Sequence, residues 1–253
     1  MDNLKRELAP LTEEAWAEID EEARETAKRH LAGRRVVDVE GPLGWGYSAV
    51  PLGRLEEIEG PAEGVQAGVR QVLPLPELRV PFTLSRRDLD AVERGAKDLD
   101  LSPVAEAARL LARAEDRLIF NGYAEAGIEG LLNASGNLKL PLSADPGDIP
   151  DAIAEALTKL REAGVEGPYA LVLSPDLYTA LFRVYDGTGY PEIEHIKELV
   201  DGGVIWAPAL DGGAVLVSTR GGDFDLTLGQ DLSIGYLSHD ADNVELFLTE
   251  SFT

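Results

Sequence analysis

Three histidines, His30, His195 and His239, are the side chains best suited to move a proton or bind a metal near neutral pH. They are far apart in the chain, and none has a second His, Asp or Glu at a trustworthy ligand spacing. They therefore read as solvated or structural residues. Acidic pairs spaced by one residue occur at Asp98/Asp100, Asp223/Asp225 and Asp240/Asp242. With 46 acidic residues in 253, roughly eight such pairs arise by chance, so they read as turns or solvated faces. There is no cysteine, which excludes disulfides, thiolate metal sites and a cysteine nucleophile. No G-x-S-x-G elbow, P-loop or H-E-x-x-H pattern is present. The glycine-rich run Gly41-Pro42-Leu43-Gly44-Trp45-Gly46 does not follow a clear strand and open a helix, so it is not a phosphate loop. No catalytic set, cofactor or metal site is visible.

The elements that would position any site are easier to see. Residues 1–11 read as an irregular arm. Thr12 is a good N-cap, Glu13 and Glu14 suit the first turn, and Trp16, Ile19 and Ala23 follow at helical spacing toward an end near Gly33. Residues 34–39 read as a short strand. Residues 41–68 show no period, which is unusual inside a compact domain and marks an extended arm or functional loop. Leu78, Val80, Phe82 and Leu84 alternate with polar residues or proline, and Pro81 puts that strand at an edge or bulge. Ser102-Pro103 opens a helix to about residue 122, with Val104, Ala107, Leu111, Ala114 and Leu118 as its apolar stripe. Further helices are expected over about 148–164, 175–184 and 191–200. Strands are expected over 169–173, 204–206, 214–218, 224–228, 232–236 and 244–252. The class is α+β, with helices and antiparallel strands partly segregated.

Composition limits the partners. The chain is long enough for one large domain or two smaller ones. A net charge of −23 opposes binding to nucleic acid or an anionic membrane, where Lys and Arg must supply the attraction. The first six residues lack the apolar core of a secretory signal. No apolar run is long enough to span a membrane. A long arm, an extended N-terminus and no active-site motif point to an assembly subunit.

Several segments, in order, resemble the encapsulins, the shell proteins of bacterial and archaeal nanocompartments. They are Leu4-Lys5-Arg6 with Leu8-Ala9-Pro10-Leu11-Thr12, then Gly33-Arg34-Arg35-Val36-Val37-Asp38-Val39-Glu40-Gly41-Pro42, then Phe82-Thr83-Leu84 with Leu89-Asp90 and Glu93-Arg94-Gly95. Ala114-Glu115-Asp116 with Ile119-Phe120, and Gly167-Pro168-Tyr169, continue the series. The most specific is Arg220-Gly221-Gly222-Asp223-Phe224 with the stretch from Leu228 to Tyr236. The resemblance implies an HK97-like phage capsid fold with a P-domain, an A-domain and an extended E-loop. Residues 1–45 would be the N-terminal helix and start of the P-domain, 46–76 the E-loop and 77–130 the P-domain with its spine helix. Residues 131–221 would be the A-domain and 222–253 the returning P-domain strands.

The same resemblance implies a non-enzymatic icosahedral shell of sixty subunits or a multiple of sixty, in the cytoplasm. It would enclose a cargo enzyme, a dye-decolourising peroxidase or a ferritin-like protein, through a C-terminal targeting peptide. The family's dock maps to Leu31, Arg34, Val37 and Asp38 together with Asp231, Leu232, Ile234 and Tyr236. There an apolar groove would take aliphatic side chains while Arg34, Asp38 and Asp231 orient polar groups. Tyr185, Asp186, Gly187, Thr188, Gly189 and Tyr190 match the family's pore loop, where copies of Asp186 would attract small cations. The flavin of some members does not carry over, because Ser85-Arg86-Arg87-Asp88 has no aromatic at the relevant stretch. Family members commonly continue past Thr253 with an apolar tail, so the chain has been trimmed or more residues follow, and a missing tail would alter assembly. A phage capsid packaging a genome is one alternative, opposed by the acidic balance. A secreted bacteriocin or protease is another, and no nucleophile–base pair supports it.

Overall fold

Thr12 opens the first helix as expected: its Oγ1 accepts the Ala15 N–H at 3.2 Å. In the computed structural model, which describes residues 3–96, 98–134, 136, 139–143, 145–182 and 191–253, this helix, α1, covers Glu13–His30. Its buried face carries Ala15, Trp16, Ile19 and Ala23. It stops three residues before Gly33. Gly33–Arg35 forms a 3-10 turn instead, because Asp116 accepts the N–H groups of Ala32 and Gly33 at 2.8–3.1 Å. The strand expected over 34–39 therefore shrinks to β1, Asp38–Glu40.

The aperiodic stretch contains two strands, β2 (Ala49–Ile58) and β3 (Ala67–Pro74), paired antiparallel with each other and, among the described residues, with no other strand. Next comes β4 (Glu77–Ser85), the outer strand of a sheet ordered β4-β10-β9. Pro81 thus sits on an edge strand, where a missing N–H costs no ladder bond. A helix absent from the sequence reading follows: α2, Arg86–Glu93, with Ser85 Oγ accepting the Asp88 N–H at 3.4 Å.

Helix α3 spans Ser102–Asn121. Its buried face is Val104, Ala107, Ala108, Leu111, Ala112, Glu115, Asp116, Ile119 and Phe120. The expected stripe through Ala114 and Leu118 is corrected by one step, because Glu115 and Asp116 take the inward positions. The first half of α3 packs with α1 and the β4-β10-β9 sheet in one core. Its second half enters a different core, so one helix of about 30 Å links both.

That second core is shared with a sheet ordered β6-β5-β7. After the short helix α4 (Leu131–Ala134) and α5 (Ile149–Glu162) comes β5, Tyr169–Leu173, buried throughout. Ala170 and Val172 face the second core. Tyr169, Leu171 and Leu173 face a third, built with α5 and α7. Helix α6 covers Pro175–Ala180 and ends earlier than the expected Val184; α7 covers Glu192–Leu199. Strands β6 (Gly203–Trp206) and β7 (Ala214–Ser218) flank β5, and β8 (Asp225–Thr227) pairs with β1. Both β5–β6 and β1–β8 are parallel, beside the antiparallel pairs of the other strands. The chain closes with β9 (Ser233–His239) and β10 (Asn243–Ser251).

Candidate functional site

Arg34 leaves the turn after α1 and reaches three other elements. Its Nε and Nη2 donate to Glu115 of α3 at 2.7 and 2.6 Å. Nη2 also lies 2.8 Å from Asp231, just before β9, and 3.6 Å from Glu250 of β10. Burial works against the guanidinium's charge, but hydrogen bonds and charge from Glu115, and then Asp231, outweigh it and raise its pKa. Glu115 and Glu250 have side chains 0% and 1% exposed, whereas Asp231 is 43% exposed. The cluster therefore runs from the interior out to the surface. Burial, and then the charge of Glu115 and a hydrogen bond to it, push the Glu250 carboxyl well above the usual range. Burial likewise pushes Asp116 up to about 7, against the pull of the Gly33 and Ala32 N–H groups.

Of the eight dock residues, the structure brings Arg34 and Asp231 into direct contact. Leu232, Ile234 and Tyr236 lie two residues apart, so they share one side of the β9 segment. Leu232 and Tyr236 are half-buried against the first core. Ile234 is 2% exposed, so it is a core residue rather than open groove wall. Leu31 is half-buried and caps α1, its N–H donating to Ala27. Val37 packs on the second core. Asp38 is exposed and turned away from the cluster: it accepts the Gly222 N–H at 2.5 Å beside β8. Gly222 has φ of 80°, a conformation open to glycine. A cavity of about 120 Å³ next to Asp38 is lined by Arg35, Val36, Val37, Thr219 and Phe224 among others. A more open cleft of about 640 Å³, between Arg161 and Asp201, contains none of the expected site residues.

The N-terminal arm lies beside this region. Leu4 accepts the Tyr236 N–H at 2.8 Å along the outer edge of β9. Asn3 bonds Gln230 at 2.8 Å, and Arg6 pairs with Asp20 while stacking 3.9 Å from the Trp16 ring. The sequence reading assigned no role to Glu115, Asp116 or Glu250. The available signal was two acids on the inward repeat of an otherwise apolar helix face.

The remaining chemistry-bearing residues have structural partners. His30 bonds the Thr26 carbonyl, His195 the Glu192 carboxylate and His239 the Tyr236 hydroxyl. Asp100 caps the start of α3 through Ser102, Asp223 pairs with Arg220, and Asp240 closes the β9–β10 turn. Among the described residues, no three His, Cys, Asp or Glu side chains converge as a metal site. Among them too, no helix is long and apolar enough to cross a membrane. The pore loop, Tyr185 to Tyr190, lies outside the described residues.

A second surface stands out. Leu52, Leu55, Ile58, Val69 and Val72 of the β2–β3 ribbon are all exposed, Leu55 at 67%, and Trp45 just before it at 60%. A ribbon of two strands with apolar side chains in water is not stable alone.

The family model described as Linocin_M18, encapsulating protein for peroxidase, matches residues 1–253. A type 1 encapsulin shell protein of Mycolicibacterium paratuberculosis is 58% identical over 253 residues, covering 100% of this chain and 95% of the relative. The corresponding protein of Mycobacterium tuberculosis is 57% identical with the same coverage. Among solved structures, a virus-like particle from Pyrococcus furiosus superposes with TM-score 0.68 at 21% identity, covering 95% of this chain and 94% of that one. The capsid of Myoviridae phage XM1 superposes at 0.51 with 15% identity, covering 87% and 84%.

Proposed function

Because the chain belongs to the encapsulin shell family and carries its HK97-like phage capsid fold, we propose that it closes a cytoplasmic shell of sixty copies, or a multiple of sixty, around a peroxidase or ferritin-like cargo. The shell role itself follows from the family. The observation that carries the assembly reading is the ribbon of β2 and β3: five exposed apolar side chains on an arm whose strands, among the described residues, pair only with each other. A neighbouring subunit supplies the missing face. In this reading 1–45 is the N-terminal helix and start of the P-domain, 46–76 the E-loop, 77–130 with 222–253 the rest of the P-domain, and 131–221 the A-domain. The shared core of α1, α3 and the β4-β10-β9 sheet supports the P-domain grouping.

We place the cargo-peptide dock on the half-buried Leu31, Leu232 and Tyr236, with Arg34 and Asp231 as its polar end. Ile234 supports it from beneath, and Asp38 and Val37 flank it from the β1 side. An extended peptide lying beside the edge of β9 would meet the backbone edge that Leu4 already uses at one position. The test is co-expression of the shell with a candidate peroxidase, with and without the peroxidase's C-terminal tail. Cargo should co-purify only with the tail, and Leu232→Asp should reduce the cargo content at least tenfold while particles still form. Equal loading without the tail, or by the variant, would remove the dock.

A genome-packaging capsid remains the poorer alternative, because a charge of −23 per subunit repels phosphates. A protease is poorer still: the three histidines bond a carbonyl, a carboxylate and a Tyr hydroxyl rather than a Ser or Thr nucleophile.

A further inference from the structure

One guanidinium serves two fully buried carboxylates. Arg34 gives two hydrogen bonds to Glu115 and a third contact to Asp231, while Glu250 Oε2 stands off at 3.6 Å. Two ionised carboxylates in contact, out of water, with a counter-charge already shared by a third acid, do not coexist. Glu250 Oε1 is buried and has no hydrogen-bond partner among the described residues. Glu115 Oε2 and Glu250 Oε2 lie 2.6 and 3.6 Å from the same Arg34 Nη2, which sets the two carboxyls beside each other for a hydrogen bond. Two carboxyls attract through such a bond only when one carries a proton, since an ionised carboxylate is acceptor-only.

We propose that Glu115 and Glu250 share one proton, and that this proton positions Arg34 so that it can hold Asp231. The four side chains then form a clamp joining the turn after α1, helix α3, strand β10 and the lead-in to β9. Loss of the proton makes Glu250 a second full charge competing for Arg34. The guanidinium is drawn inward, Asp231 is released, and the segment entering β9 loosens.

The charged surroundings are defined. Helix α3 contributes Glu115 and Asp116, the latter occupied by the N–H groups of Ala32 and Gly33. The turn after α1 contributes Arg34, and the loop before β9 contributes Asp231. On β4, Arg79 pairs with Glu77 and stacks 4.0 Å over Phe247. Phe247 is three residues from Glu250 on β10 and so lies on the opposite face of the sheet. Burial of Glu250 pushes its carboxyl well above the usual range, so its proton is lost at a higher pH than that of an ordinary carboxyl.

The inference deepens the dock reading, since Arg34 and Asp231 belong to that site, but its test uses no cargo and the two can fail separately. Purified assembled particles are followed by hydrogen-exchange mass spectrometry from about pH 6 to about pH 9, with rates corrected for intrinsic exchange. In the wild type, segments 29–38 and 229–236 should lose protection at the alkaline end while β5 keeps it. Glu250→Gln has the same shape, no charge and an N–H for Glu115, so it should keep those segments protected throughout. Unchanged protection in the wild type, or the same alkaline loss in Glu250→Gln, overturns the proposal. An infrared titration needs no variant at the clamp: a protonated-carboxyl band should be present at neutral pH, vanish on alkalinisation and persist in Asp116→Asn. Absence of that band at neutral pH overturns the proposal equally.

Discussion

At the scale of single residues, the interior of α3 decides how the chain turns after its first helix. Asp116 holds two backbone N–H groups, and burial raises its pKa from 3.8 to about 7. A carboxyl with a raised folded-state pKa stabilises most at low pH, and that contribution is lost as pH rises from its unfolded value through its folded one. Stability should therefore fall between about pH 4 and pH 7, and Asp116→Asn, which keeps an acceptor oxygen, should flatten this part of the profile; urea midpoints across that range check it. Arg34→Ala leaves Glu115 and Glu250 buried with no counter-charge, and should cost about 3 kcal/mol by urea unfolding. None of Glu115, Asp116 and Glu250 was legible as part of a site. Sequence patterning counts apolar residues, and Glu115 and Asp116 interrupt the stripe on its buried side. Arg34 and Asp231 were legible, but only through the family resemblance; nothing in their spacing brings residues nearly two hundred positions apart together.

At the scale of elements, the sequence showed elements with a strong period and hid those that depend on something distant. Helices α1 and α3 and strand β5 were visible because each buries a continuous stripe or run. Helix α2 was missed because its eight residues offer little apolar stripe beyond Leu89, and its start rests on the Ser85 cap. The β2–β3 ribbon was seen only as a stretch without period. Its side chains are exposed on most positions of both strands, so it has no inward and outward faces within its own subunit. That same feature yields a prediction. Leu55→Asp removes apolar area from the ribbon and should block assembly while leaving the subunit folded. Each such side chain is worth about 1.5–3 kcal/mol when fully buried by a neighbour, and every subunit in a shell repeats the loss. Far-ultraviolet circular dichroism should match the parent, and size-exclusion chromatography should show only small species.

At the scale of the whole molecule, three cores meet along α3 and β5, and the arm of β2 and β3 lies outside them. A subunit with a rigid body and an unfilled arm is built to be completed by copies of itself, and closed symmetry lets every copy complete its neighbour. The strong acidity limits what the particle holds but not whether it forms, because charge governs partners more than fold. The most direct measurement is the mass and shape of the purified full chain, by light scattering together with negative-stain electron microscopy. Uniform hollow spheres of at least about 1.6 MDa, sixty times 27.2 kDa, are the predicted result. A stable monomer or small oligomer, unaltered by Leu55→Asp, would contradict the account.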